Sequence, residues 1–130
     1  MKAVVVDASA FVDYLLHADA APDIGDLVLN PDNDVHIPAL CDIEVAAALR
    51  KALLTNRLPA NRVTEVTEAY FDLPVTRHGH EPLLSRILEL RHNFTAYDAT
   101  YVALTEALDG HLLTADKALA QAARRHVRIA

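Results

Sequence analysis

Ala3-Val4-Val5-Val6-Asp7-Ala8-Ser9-Ala10-Phe11-Val12-Asp13-Tyr14-Leu15-Leu16 sets a run of strand formers directly against a helical stretch, with Asp7 near the junction. A short apolar run without alternation, Ala3 to Val6, reads as a strand buried on both faces. The helical pattern from Phe11 to Leu16 then opens a parallel α/β unit. Asp7 therefore falls at the carboxyl end of a central strand, the edge where open parallel sheets bind ligands. An Asp at a strand-to-helix junction also serves as an N-cap or turn former, and taken alone Asp7 reads that way.

Outward from this unit, strands and helices keep alternating. A second short helix spans Asp23 to Leu29, and Asn30-Pro31-Asp32-Asn33-Asp34 is a turn sequence. Val35-His36-Ile37-Pro38 gives a strand, and a helix capped by Asp42 or a residue just before it runs to Leu54. Pro59 fits the first turn of a helix reaching Tyr70. Asp72-Leu73-Pro74-Val75 reads as an edge strand because of its proline. Glu81-Pro82 opens a helix through Leu90, and Thr95 is spaced from Asp98 as an N-cap with an acidic third position. That helix reaches Gly110. His111-Leu112-Leu113-Thr114 is a strand ended by Ala115-Asp116, Lys117 to Arg125 is helical, and Val127-Arg128-Ile129 is a last edge strand. The pattern predicts one domain over residues 1–130, a three-layer α/β/α sandwich on a mostly parallel sheet joined by right-handed crossovers.

Composition excludes several classes. The chain has 130 residues, 52% of them hydrophobic, six prolines and three glycines, which suits one ordered core. No apolar run approaches the roughly 18 residues of a membrane span. The N-terminal stretch meets Asp7 after four apolar residues, too few for a signal peptide, so a cytoplasmic location is expected. Cys41 is the single cysteine, which rules out an intrachain disulfide and a thiolate cluster; it reads as a small buried hydrophobe. The net charge is −6, but residues 1–49 carry one positive and nine negative side chains while residues 50–130 carry eleven and nine. That asymmetry argues against a broad basic face for duplex DNA. Arg57, Arg62, Arg77, Arg86 and Arg91 could form a local patch, as could Arg124, Arg125 and Arg128; each arginine alone reads as part of a solvated helix face.

Four carboxylates carry the chemistry. Asp7 and Asp116 follow apolar strands whose ends can lie side by side, whereas Glu44 and Asp98 sit in the first turns of helices among apolar neighbours. Tyr101, Val102 and Thr105 share the approximate face of Asp98. A carboxylate on a packed face is costly unless paired or bound to a metal, and several together raise one another's pKa. A divalent cation with oxygen ligands relieves that repulsion; Mg²⁺ suits the set and Mn²⁺ is its natural substitute. Such a cation, held by Asp7, Asp98 and Asp116, could activate a water against a phosphodiester, with a second near Glu44 for the leaving oxygen. Ser9 and Thr114 are placed either to hydrogen-bond a carboxylate or to cap the following turn. None of the seven histidines forms a helix-borne metal motif, and His78-Gly79-His80 reads as a polar, flexible loop. There is no glycine-rich phosphate loop and no dinucleotide fingerprint.

Four blocks carry a family likeness: Val5-Val6-Asp7-Ala8-Ser9-Ala10, Asp42-Ile43-Glu44-Val45-Ala46, Tyr97-Asp98-Ala99-Thr100-Tyr101-Val102-Ala103-Leu104, and Leu112-Leu113-Thr114-Ala115-Asp116. In order and spacing the chain resembles the PIN-domain nucleases, specifically VapC-type toxins of toxin–antitoxin pairs. The resemblance implies acidic site residues at Asp7, Glu44, Asp98 and Asp116, with Ser9 and Thr114 as polar supports. It implies a Mg²⁺- or Mn²⁺-dependent endoribonuclease cutting structured RNA such as transfer or ribosomal RNA, with water as nucleophile, leaving a 3′-hydroxyl and a 5′-phosphate. It also implies a homodimer and a small cognate antitoxin whose tail occupies the groove beside the acidic site. After Asp116 this chain continues Lys117-Ala118-Leu119 without a further carboxylate, so one- and two-metal arrangements both stay open.

Three other readings fit less well. An aspartyl phosphotransferase wants a second acid two residues after Asp7, where Ser9 stands. A phosphoacceptor signalling domain needs an Asp ending a middle strand, whereas Asp72 precedes its run. A binding module with a silent nuclease-like site would gain little from four carboxylates facing phosphate.

Overall fold

The computed structural model describes residues 2–17 and 22–130; Met1 and residues 18–21, including Asp19 of the acidic N-terminal stretch, lie outside the described residues. Strand β1 (Lys2–Val6) leads into helix α1 (Ala8–Leu16), α2 (Pro22–Leu29) and β2 (Asn33–Pro38). Helices α3 (Leu40–Leu54) and α4 (Val63–Phe71) precede β3 (Val75–His78). Helices α5 (Leu84–Glu89) and α6 (Ala96–Ala107) lead to β4 (His111–Leu113), followed by α7 (Lys117–Ala123) and β5 (Arg128–Ile129). Single 3-10 turns at Ala60–Arg62 and Glu81–Leu83 open the α4 and α5 segments.

The sheet order is β3-β2-β1-β4-β5, and every adjacent pair is parallel. The chain first steps from β1 to β2 to β3, then returns to the other side of β1 for β4 and β5. Right-handed crossovers put α1 to α4 on one face and α5 to α7 on the other. This is the α/β sandwich the alternation predicts, and the reversal of direction between β1 and β4 makes a topological switch point. Val4, Val5 and Val6 are fully buried, as a strand covered on both faces requires. On the first face, Phe11 of α1 meets Tyr70 of α4 edge to face with ring centroids 5.4 Å apart.

Helix α6 is buried from Ala99 to Thr105 without a polar stripe. Its Thr100 and Thr105 hydroxyls donate to the carbonyls of Ala96 and Tyr101, both at 2.7 Å, so neither is left unpaired in the core. Beyond the helix, Asp109 takes the left-handed conformation at φ 49°. Gly110 is needed for space instead: a Cβ there would stand 2.8 Å from the carbonyl oxygen of Ala3 in β1.

Three local expectations change. The third strand runs Val75–His78 rather than Asp72 to Val75. Pro74 has no N–H to contribute to a ladder, so pairing begins after it, while Leu73 is buried as a plug. Asp42 does not cap α3, whose N-cap is Ala39; its carboxylate instead accepts from Arg77 Nε at 2.9 Å and from the Tyr70 hydroxyl at 2.7 Å. His78 and His80 are not a free loop. His78 Nε2 lies 2.8 Å from His36 Nδ1, His36 Nε2 lies 2.8 Å from Asp34, and His80 Nε2 accepts the Leu40 N–H at 2.9 Å. An ionised Asp34 accepts only, so His36 carries its hydrogen on Nε2, and while neutral it receives one from His78. This chain of contacts ties β2 to β3.

Burial, and then the neighbouring His36, hold His78 below the usual imidazole range. Its folded pKa lies under the unfolded value, so the unfolded chain binds more protons and stability is lost as pH falls through the region of 6.5. The thermal midpoint is expected to drop between about pH 7.5 and about pH 5.5 more in the native chain than in His78→Gln; equal slopes in a melting series would contradict it. Replacing Gly110 with Ala should cost about 1–3 kcal/mol by overpacking against backbone that cannot yield. Gly79→Ala, which meets nothing within 4 Å, should leave the midpoint near its native value in the same melts.

Candidate active site

The carboxyl edge of the sheet at the switch point holds Asp7. The Asp7 N–H donates to the Leu113 carbonyl at 3.0 Å, continuing the pairing of β1 with β4 one residue past the strand. Its side chain is buried at 6% exposure, yet both oxygens have donors. Oδ1 accepts the Ser9 hydroxyl at 2.6 Å and the Ala10 N–H at 3.2 Å; Oδ2 accepts the Thr114 hydroxyl at 2.7 Å. Asp7 thus caps α1 and stands at the carboxyl edge of the sheet, the place expected for it. Each hydroxyl has one hydrogen, and both are spent on Asp7, leaving the 3.3 Å Ser9–Thr114 approach as a contact between acceptors. Those oxygens accept in turn: Ser9 from the Ala115 N–H and Thr114 from the Asp116 N–H, each at 3.0 Å. One network therefore spans the loops after β1 and β4.

Asp116 caps α7 by accepting the Leu119 N–H at 3.1 Å and is exposed. Asp98 stands in the first turn of α6, whose N-cap Thr95 accepts the Asp98 N–H at 3.1 Å. No donor reaches the Asp98 carboxylate among the described residues. Glu44, in the second turn of α3, accepts the Tyr101 hydroxyl at 2.6 Å on Oε1. Tyr101 is the site residue that sequence reasoning missed. Its place three residues after Asp98 was legible, but its partner lies 57 positions away on another helix.

Electrostatics couples the four. Burial pushes the Asp7 carboxyl up, outweighing its three hydrogen bonds, and Asp116 adds to the rise. Glu44 is raised by burial and then, against the pull of Tyr101, by Asp7 and Asp98. Asp98 is raised by burial, then by Asp116 and Asp7. Asp116 thus bears on both Asp7 and Asp98, and Asp7 on both Glu44 and Asp98. None of the four forms an ion pair among the described residues, whereas Asp42, two residues from Glu44, is held low because Arg77 and Tyr70 overcome its burial. Burial, followed by Cys41 and Glu44, raises Tyr101, so its phenol stays a donor; burial also pushes the Cys41 thiol up to about 11, which leaves it unreactive.

No three His, Cys, Asp or Glu side chains among the described residues are close enough as they stand to ligate one ion directly. The donor set fits a hydrated hard cation: all oxygen, mutually repelling, without a protein cation, and with acceptor capacity left on Asp98, Glu44 and Asp116. Mg²⁺ keeps several of its waters and needs only one or two carboxylates in direct contact, so it does not require three of these side chains at once.

The PIN domain family model matches residues 4–125. The chain is 41% identical over 113 residues to VapC ribonuclease Mb0985 of Mycobacterium bovis, covering 87% of this chain and 85% of that protein. It is 40% identical over 123 residues to Ribonuclease VapC1 of Mycobacterium tuberculosis, covering 94% and 92%. Its fold is similar to that of PAE2754 from Pyrobaculum aerophilum, with a TM-score of 0.70 at 22% identity over 98% of this chain and 84% of that one.

Raised carboxyls work against the folded state once ionised: their folded pKa exceeds the unfolded value, so their cost appears as pH rises above about 4. In chelator-treated protein, Asp98→Asn should therefore raise the thermal midpoint at neutral pH, with the gain shrinking toward pH 4. A midpoint lowered at neutral pH would show that Asp98 is stabilised by something other than its acidic neighbours.

Proposed function

The chain belongs to the PIN-domain family, and from that premise we propose that it is a VapC-type endoribonuclease, a single nuclease domain over residues 1–130. In this reading it hydrolyses phosphodiester bonds in structured cellular RNA, transfer or ribosomal RNA, as the toxin of a toxin–antitoxin pair. One observation carries it: four coupled carboxylates without a protein cation gather at the switch point of a chain whose relatives bear the name ribonuclease.

A bound Mg²⁺, or Mn²⁺ in its place, supplies charge neutralisation at the scissile phosphate and a lowered pKa for the attacking water. The chain's residues do the rest. Asp7 and Asp98 would hold the cation, with Asp116 and Glu44 completing the set. Ser9 and Thr114 fix both oxygens of Asp7, so it cannot rotate out of register with the β4 loop. Tyr101 fixes Glu44 while leaving Oε2 open for a proton or a ligand. The attacking water leaves the 5′-phosphate on one product and the 3′-hydroxyl on the other. Cytoplasmic location, a homodimer and an antitoxin seated beside the acids belong to the same proposal. No helix among the described residues is long and apolar enough to cross a membrane.

Purified protein incubated with total RNA and Mg²⁺ should produce discrete cuts, with mapped ends carrying the 5′-phosphate, and EDTA should stop the reaction. Asp98→Asn should lower the rate at least about a hundredfold, the worth of several kcal/mol of charge stabilisation, with the circular dichroism unchanged. Thr114→Ala should cost about 10- to 100-fold, as loss of a ligand's support does. Cleavage at the native rate in Asp98→Asn would sink the mechanism.

A further inference from the structure

Of the two arginine groups in the sequence, the fold assembles one. In the first, Arg62 is held by Glu65, Arg77 by Asp42 and Arg86 by Glu106 and Glu89, while Arg91 donates to the Leu88 carbonyl and Arg57 reaches only the Thr55 hydroxyl, at 3.4 Å. In the second, Arg124, Arg125 and Arg128 line one groove together with His126. Arg125 and His126 also line an adjoining groove with Gln121 and Asn93. Glu106 and Asp109 border the first groove, but Arg86 answers Glu106 and Arg128 answers Asp109 at 3.0 Å. Arg124 and Arg125 form no ion pair among the described residues, so their charge is uncompensated. The positive field reaches further: His111, which shares a third groove with Arg124 and Arg128, is held low by burial and then by Lys2 and Arg128.

Helix α7 joins this group to the acids. It begins at Lys117, the residue after Asp116, and ends beside Arg124. Lys117, Gln121 and Arg124 are exposed and follow one another at intervals of four and three residues, the spacing of one helical stripe ending at the C-cap, and exposed Arg125 follows in the turn just beyond it. From Lys117 to Arg124 the stripe runs about 10 Å at ~1.5 Å per residue, the length of roughly three stacked nucleotides at ~3.4 Å each.

We propose that the Lys117–Gln121–Arg124 stripe of α7, continued by Arg125 in the turn after it, is a track for the phosphate backbone of single-stranded RNA, engaging about three nucleotides on one side of the bond held at the carboxylates. The proposal rests on the ribonuclease reading and adds to it a binding surface outside the acidic site. RNA fits better than an acidic protein segment. An acidic segment following the stripe toward Lys117 would set its carboxylates against Asp116, whereas RNA brings to that end the phosphodiester on which the proposed reaction acts.

The test uses the full chain carrying Asp98→Asn, which suppresses cleavage, and a fluorescently labelled single-stranded RNA of mixed sequence, with anisotropy read across a salt series. Arg124→Glu with Arg125→Glu should weaken binding at least about tenfold. Arg124→Gln with Arg125→Gln, which risks the fold less, should lower the slope of log affinity against log salt by about 1.4, two phosphates at ~0.7 each. With the acidic site intact, RNAs cut back to one nucleotide on the track side should be cleaved more slowly and respond less to the arginine substitutions than longer RNAs do. Unchanged affinity and slope in a chain that binds and cleaves RNA would overturn the track alone. A native chain that neither binds nor cleaves RNA would overturn the ribonuclease reading and the track with it. Lost binding of poly-glutamate with RNA affinity retained would overturn the track and give the surface to an acidic protein.

Discussion

The parallel pairing of β1 with β4 is the constraint on which the site depends. It aligns Val6 with Leu113, so the next residues, Asp7 and Thr114, leave the sheet together where the crossovers diverge. The Asp7 N–H bond to Leu113 and the hydroxyls of Ser9 and Thr114 then lock the two loops to one carboxylate. Side-chain bonds that would be modest in water gain strength in this half-buried setting, and each donor in the network also has its oxygen used as an acceptor. Slipping β4 by one residue would turn Leu112 out of the core and break all of these at once.

Local structure and electrostatic cost meet in the same residues. Asp7 and Asp116 cap helices, and Asp98 lies in a first turn, so backbone N–H groups and helix dipoles favour a carboxylate at each position. Burial, and then the nearby charge of Asp116, nevertheless raises Asp7 and Asp98. Asp42 and Glu44 make the contrast within a single helix: Asp42 has Arg77 and is held low, while Glu44 is raised by burial and then by two acidic neighbours that the Tyr101 hydroxyl only partly offsets. Ion pairing serves the fold at Asp42, and its absence two residues on leaves acceptor capacity at the sheet edge.

Much of the architecture was legible because it rests on strong, local signals. Val4-Val5-Val6 has no polar face, and helix formers and breakers alternate clearly enough to predict a parallel sandwich with β3 and β5 at its edges, as found. The Thr95 cap was legible for the same reason, since a hydroxyl three residues before a helical N–H needs nothing distant. The misplaced third strand shows the opposite case. Thr76, Arg77 and His78 carry no apolar pattern, and what makes them a strand is the ladder to Val35–Pro38. His36, His78 and His80 likewise read as unconnected polar residues until the sheet brings them within hydrogen-bond reach.

By itself the sequence determined most of the elements and the family that the blocks around the four candidate acids resemble, because each depends on neighbours a few residues apart. Tertiary structure decided the strand order, the pairing of Tyr101 with Glu44, the capture of Asp42 by Arg77, and the convergence of Arg124, Arg125 and Arg128. The physical reason is distance along the chain. Burial and Coulomb coupling act through space, so a carboxylate's state depends on side chains contributed by other elements, and only the packed sheet and helices bring those into range.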